Sequence, residues 1–219
     1  MNMKTLAFDT STKYLSIALF EKEECLIKYH EDAGIRHSEI LIPVLGKLFD
    51  ETGWEPGDID LIAVGLGPGS FTGIRIALAT VKGLCGVLDS SVIGVPTMDA
   101  IIENLTGEYS GLAAPLLNAR KGKVYSAFYN YLENGAERIS DYMLVTIEEL
   151  LGMLKKEVFF IGDGITAYRD IIEKAPMVKY DESYDWYPRA VNIGRIGIKR
   201  VREKKDDPEL LNPLYLHSK

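Results

Sequence analysis

Apolar and polar residues alternate from Lys4 to Phe8, and the alternation breaks at the polar run Asp9-Thr10-Ser11-Thr12. Two further strand-like runs follow, Leu15 to Phe20 and Cys25 to His30, so the chain opens as an antiparallel meander with a polar first turn. The period then becomes helical. Ile40, Leu41, Val44, Leu45, Leu48 and Phe49 recur at helical spacing, Ser38 stands where an N-cap belongs, and Gly53 can end the helix. Pro43 inside it removes one backbone bond and predicts a kink or a tightened first turn. Asp60 to Gly65 is a short apolar segment suited to a buried parallel strand. A helix from about Ser70 to about Leu84 and a strand from Ser91 to Val95 complete the first half.

The second half starts the same way. Leu112 to Leu117, the polar turn Asn118 to Lys123, and Val124 to Tyr131 again read strand, turn, strand. A helix around Ile147 to Lys156, a buried strand at Val158 to Ile161, the turn Gly162-Asp163-Gly164 and a helix around Ala167 to Lys174 follow. Ala175 to Pro188 reads as connection. A last amphipathic helix, about Asn192 to Lys204, carries Ile193, Ile196, Ile198 and Val201 among arginines and lysines. The echo is one of pattern, not of residue identity. The element order predicts an α/β fold of the actin-like, ribonuclease-H-like type: duplicated βββαβα domains enclosing a cleft. The expected division is 1–98 with about 189–219 for the first domain, and 99–188 for the second, smaller one.

Composition narrows the function. In 219 residues, 47% hydrophobic, there is enough apolar material for a core in each half. No apolar run approaches the ~20 residues of a membrane span, and Met1 to Lys4 leads directly into a strand; a cytoplasmic protein with no membrane partner is expected. Cys25 and Cys85 have no metal-ligand or redox spacing and read as reduced thiols. His30, His37 and His217 form no HxxxH or HExxH set, so no metal site is expected. A net charge of -7 argues against a broad grip on nucleic acid. Basic residues gather only near the end, at Arg189, Arg195, Lys199, Arg200, Arg202, Lys204 and Lys205, either as a local tRNA contact or as a solvated helix face.

Gly65-Leu66-Gly67-Pro68-Gly69-Ser70-Phe71-Thr72-Gly73 lies between a buried strand and a helix, where phosphate-binding loops are found. A P-loop is excluded because the chain has no Gly-Lys-Ser/Thr. The dinucleotide pattern lacks its acid after the next strand, where Val95-Pro96 stands, and Pro68 removes an amide. What remains is a generic anion trap or a tight structural junction. The helix that follows is apolar nearly all round: Phe71, Ile74, Ile76, Ala77, Leu78, Ala79, Val81 and Leu84 leave little polar face. It is either a central core helix or one whose remaining surface is covered by a partner.

Leu6-Ala7-Phe8-Asp9-Thr10-Ser11, Arg36-His37-Ser38-Glu39, Gly67 to Arg75 and Asn212-Pro213-Leu214-Tyr215-Leu216 together resemble the TsaB (YeaZ) family of bacterial tRNA threonylcarbamoyladenosine biosynthesis proteins. The chain differs from the family pattern at Asn118, where Asp is usual, and at His217, where Arg is usual. The resemblance implies a non-catalytic scaffold for a TsaD-like catalytic subunit, working with a TsaE-like ATPase. That assembly transfers a threonylcarbamoyl group to the adenosine next to the anticodon in tRNAs reading codons that begin with A. It further implies a partner contact through the two first-domain helices, here His37, Ile40, Leu41, Val44, Leu45, Leu48, Phe71, Ile74, Ala77, Leu78 and Val81, with Gly65, Gly67, Pro68, Gly69, Ser70, Thr72 and Gly73 as a structural turn. Self-association through the same apolar surface is expected when the partner is absent. No cofactor of its own is expected, and a nucleotide is allowed at the subunit interface.

Residue chemistry agrees with a loss of catalysis. An actin-like phosphate turn needs a glycine, and Asp9, Thr10, Ser11 and Thr12 include none, so the turn reads as vestigial. Asp9 is then a turn-maker or a metal ligand. Gly162-Asp163-Gly164 is an adenosine-binding turn or a plain strand-to-helix turn. His37 caps its helix or faces the partner. The alternative function is a small-molecule kinase or nucleotide hydrolase of the same fold.

Overall fold

The opening alternation becomes three strands, β1 (Lys4–Asp9), β2 (Tyr14–Glu21) and β3 (Glu24–Asp32), paired antiparallel with Ala7 opposite Ala18 and Ile17 opposite Tyr29. The computed structural model describes residues 2–105, 109–132 and 135–216, so His217 lies outside the described residues. Helix α1 spans His37–Thr52 without interruption at Pro43 and ends on Gly53, whose left-handed backbone (φ 67°) lets its N–H reach the Phe49 and Asp50 carbonyls. Ser38 is not its cap. The turn closed by Arg36 N–H on the Ala33 carbonyl (2.9 Å) delivers the chain two residues earlier, so Arg36 takes the cap position without a side-chain bond. A short 3-10 turn (Pro56–Asp58) leads to β4 (Leu61–Gly65), then α2 (Phe71–Cys85), β5 (Ser91–Val95) and the six-residue α3 (Thr97–Ile102).

The first sheet has the order β3-β2-β1-β4-β5, with β1, β4 and β5 parallel. Alternation along its strands decides what each face holds. Leu6, Phe8, Leu15, Ile17, Leu19, Ile62 and Val64 pack with Leu41, Leu45, Leu48, Ile74, Ala77, Leu78 and Val81 of α1 and α2. The opposite face presents Ala7, Ala18, Leu61, Ala63, Ile93 and Val95, several of them small. Burying each large aliphatic side chain contributes about 1.5–3 kcal/mol, so this two-sided core is the main source of stability.

In the second half, β6 (Gly111–Arg120) pairs antiparallel with β7 (Lys123–Ser126) near its end and with β8 (Tyr129–Leu132) near its start. The single strand expected over Val124 to Tyr131 is therefore two. Ala127 and Phe128 break it, and Phe128 N–H donates to Ser140 Oγ at 2.8 Å. Strands β9 (Gly135–Arg138) and β10 (Met143–Thr146), helix α4 (Ile147–Gly152), β11 (Val158–Ile161), α5 (Gly164–Ala167), α6 (Arg169–Ile172) and β12 (Val178–Lys179) follow. Thr146 caps α4 through a reciprocal pair with Glu149. The core here joins Leu116, Val124, Ile147, Leu150, Val158, Phe160 and Ile165.

The chain then returns as α7 (Ala190–Arg200), which lies on the small-residue face of the first sheet, against β1, β2 and β4. Gly194 sits over the Phe20 ring and Gly197 over Ala63, where any Cβ would collide. One compact unit is made of Met1–Ala100 and Pro188–Leu214; the other is built on Ile101–Tyr187. Within the described residues each unit holds a mixed sheet whose first strand has an antiparallel and a parallel neighbour, the α/β arrangement of the actin-like fold.

Candidate functional site

Asp9 ends the central strand β1 and is wholly buried, with Thr10 and Ser11 beside it. Its Oδ1 accepts from Ser11 N–H and from Ser11 Oγ, both at 2.7 Å. That is an Asx turn, the local role short acidic side chains fill well. Thr97 Oγ1 lies 3.2 Å from Asp9 Oδ2 and 3.0 Å from Ser11 Oγ, and accepts from Gly67 N–H at 3.1 Å. Burial pushes the Asp9 carboxyl above its ordinary range; the Ser11 and Thr97 bonds and the nearby His37 pull it the other way without reversing the shift.

The glycine-rich turn closes directly onto this cluster. Ser70 N–H donates to the Ser11 carbonyl at 2.6 Å, and Thr10 Oγ1 donates to the Gly73 carbonyl at 2.7 Å. A Cβ at Gly65 would overlap Asp9 Oδ2, one at Gly69 the Ser11 carbonyl, and one at Gly73 the Thr10 carbonyl. Gly67 has φ 88° and precedes Pro68 through a cis peptide; its own Cβ would strike Ile74. Ser70 caps α2 by accepting from Gly73 N–H at 3.2 Å. A phosphate cradle needs backbone amides aimed at open space. Here the amides of Ser11, Gly67, Ser70 and Gly73 are spent on Asp9, Thr97, Ser11 and Ser70, so these four are not offered to a phosphate.

The residues expected to face a partner divide by burial. Leu41, Leu45, Leu48, Ile74, Leu78, Val81 and Ala77, which is 0% exposed, belong to the chain's own core, which leaves their side chains little surface to offer a partner. His37 is buried as well. Its Nε2 sits 3.2 Å from the Tyr14 carbonyl, so it ties α1 to β2 and neither caps the helix nor points outward. Ile40 and Val44 are half-buried at the edge of the core. Phe71 is 53% exposed with the Arg75 guanidinium 3.9 Å over its ring, and Thr72 is exposed beside it. Ile42, 57% exposed, lies on the outer face of α1; Thr72, Arg75, Ala79, Lys82 and Gly83 form that of α2, which is therefore not buried all round.

Sequence reasoning missed Thr97, the hydroxyl that joins Asp9 to Gly67. Its signal was its position directly after the β5 strand and Pro96, where a cofactor acid was sought and a hydroxyl stands. Leu214, within the tail motif Asn212 to Leu216, donates its N–H to the Leu66 carbonyl at 2.9 Å. In the second unit, Asp163 Oδ1 accepts from Asn118 N–H at 2.9 Å, so Gly162-Asp163-Gly164 closes onto the β6 turn.

The family model described as TsaD, tRNA N6-adenosine threonylcarbamoyltransferase, matches residues 28–217. The tRNA threonylcarbamoyladenosine biosynthesis protein TsaB of Bacillus subtilis is 31% identical over 78% of this chain and 76% of its own length. The solved YeaZ from Pseudomonas aeruginosa is 28% identical and superposes with a TM-score of 0.83 over 98% of this chain and 100% of that one. The apo psk41 ParM protein, 10% identical, matches with a TM-score of 0.50 over 93% of this chain and 100% of its own, a likeness of fold alone.

Proposed function

The chain belongs to the TsaB (YeaZ) family, within the reach of the TsaD family model, and so to tRNA threonylcarbamoyladenosine biosynthesis; from that premise we propose that it is a non-catalytic partner subunit of a TsaD-type threonylcarbamoyltransferase. The observation that carries this reading is the closed first turn. Where an actin-like enzyme would offer amides to a phosphate, this chain bonds Ser70 N–H to the Ser11 carbonyl and buries Asp9 against Ser11 and Thr97. A carboxylate held inward this way is a structural pin, not a metal ligand.

The same closure explains what the turn does instead. It holds the start of α2 rigidly, and with α1 that helix presents a surface on which Ile42, Phe71, Ala79 and Gly83 stand among Thr72, Arg75 and Lys82. A helix of the catalytic subunit fits there at close range, because Ala79 and Gly83 let backbones approach, and a bare chain can pair with itself by the same face. In this reading a TsaE-like ATPase and any nucleotide at the interface act on the assembled complex, and tRNA is bound chiefly by the catalytic partner.

Reconstitution tests it. Threonylcarbamoylation of tRNA by the TsaD-type subunit is expected to need this chain, and micromolar ATP binding by the isolated chain in calorimetry would contradict the proposal. Ala79→Arg is expected to leave the circular-dichroism melt within a few degrees of wild type and to abolish co-elution with the catalytic subunit on size exclusion. Ala77→Arg, at a buried position, is expected to unfold the protein.

A further inference from the structure

Helix α7 carries a groove that the proposed function leaves unused. Glu23, Arg195, Ile198, Lys199 and Arg202 line a cavity of about 370 Å³ in the first unit, three cations against one acid. The structure sorts the basic run at the chain's end into spent and available charges. Arg200 is held by Asp99 at 2.7 Å, and Arg202 by Glu23 at 2.6 Å. Arg195 and Lys199 are exposed and, among the described residues, neither is in an ion pair.

The stripe is fixed from beneath. Gly194 against Phe20 and Gly197 against Ala63 press α7 onto the sheet, with Ile193 and Ile198 buried, so the helix cannot roll and positions 195, 199 and 202 point into the groove. At about 1.5 Å of rise per residue, the two available cations, Arg195 and Lys199, stand about 6 Å apart along the helix. That is about two nucleotide steps at about 3.4 Å per step along one strand. None of the lining residues is aromatic, so the groove offers charge without a stacking platform. Concentrated cations on a chain of net charge -7 mark a local anion contact, since the rest of the surface repels one.

We infer that this groove binds the phosphodiester backbone of the tRNA substrate, as a positioning contact that does not read base sequence. The inference rests on the reading that this chain works in a tRNA-modifying complex. A helix C-terminus also attracts basic residues through its dipole, but that effect needs no cavity and acts only within the last turn, which Arg195 precedes.

The test uses the reconstituted complex with full-length tRNA. Arg195→Glu/Lys199→Glu is expected to raise the KM for tRNA by about tenfold or more at unchanged kcat, and to reduce the slope of log KM against log salt by about two. Lys155→Glu/Lys156→Glu, an equal change of charge at exposed lysines of the other unit, is expected to leave both within twofold. Unchanged KM and salt slope in the Arg195/Lys199 variant, with wild-type chain still required for activity, overturn the groove and leave the functional reading standing. If activity does not need this chain, the functional reading fails, and filter binding of tRNA to wild type and variant at low salt decides the groove by itself. Saturable binding of inorganic tripolyphosphate that the variant loses, with tRNA binding unmoved, assigns the site to free polyphosphate and overturns the RNA assignment.

Discussion

The turn after the first strand is closed in both units, by acids of opposite origin. In the first, the acid is on the strand: Asp9 looks inward and is held by Ser11 and Thr97, while Gly65, Gly69 and Gly73 bring the facing loop against it. In the second, β6 pairs like β1, with an antiparallel neighbour and a parallel one, but carries Asn118 at the turn. The acid comes from the facing loop: Asp163 receives Asn118 N–H, and Gly162 and Gly164 close on the Leu116 carbonyl. Asn118 Oδ1 accepts from Arg120 N–H at 2.9 Å, and Arg120 and Lys121 stand exposed with positive φ. Closure is therefore a matter of glycine contacts and tolerates either source of the carboxylate. What differs is the cost of that carboxylate, which is high for buried Asp9 and low for Asp163 beside solvent.

Breaking the contacts should expose the difference. The largest effect is expected at Gly65→Ala, whose methyl would occupy the place of Asp9 Oδ2 and force the buried acid out: a loss of about 3 kcal/mol in urea unfolding. Gly164→Ala meets both the Leu116 side chain and the Leu116 backbone carbonyl oxygen at 2.8 Å, a shallower overlap than the one at Gly65, and should cost about 1–2 kcal/mol. Equal losses would mean that the two closures are equally rigid.

A smaller effect is expected at Thr97→Val, which keeps shape but removes the hydroxyl between Asp9, Ser11 and Gly67: about 1–2 kcal/mol, because a buried amide and a buried carboxyl each lose a partner. Asp163→Ala, at an exposed bond, should cost under about 1 kcal/mol by the same measurement.

The last expected effect is a pH dependence. Asp9 has a raised folded value, so the folded state holds its proton more tightly than the unfolded chain does. The stability this contributes is full below the unfolded value near 3.8 and is lost as pH rises through the folded value. Asp9→Asn should therefore gain on wild type as pH is raised from 4 to 7 in paired urea titrations. Asp32, Asp58 and Asp181 have lowered values and act with the opposite sign, so only the difference between the two proteins isolates Asp9. A flat difference would show that Asp9 enters the fold already ionised.

Much of the first unit was legible because its strands are long or wholly apolar. β1, β2, β4, β5, α2 and α7 lie within a few residues of where the pattern put them. In the second unit, β9 and β10 went unread, since Gly135–Arg138 and Met143–Thr146 are four residues each and take their order from cross-strand neighbours rather than from alternation. The six-residue α3 is too short to show a helical period.

At the site, the glycine spacing announced a backbone junction but not its counterpart. The pattern of Gly65, Gly67, Gly69 and Gly73 says that something comes close; that it is the Asp9–Ser11 turn, joined by Thr97 from 88 residues away in sequence, is a long-range contact with no local signature.

By itself, then, the sequence determined the order of elements, the absence of a glycine in the first turn and the apolar character of α2, because local periodicity and residue chemistry carry these. Only the tertiary structure decided which side of each helix is core and which is surface. A helix apolar nearly all round has no direction in its own pattern. The direction comes from where the sheet lies, and that turned Ala77 inward, left Ala79 and Phe71 outside, and aimed Arg195 and Lys199 into a groove.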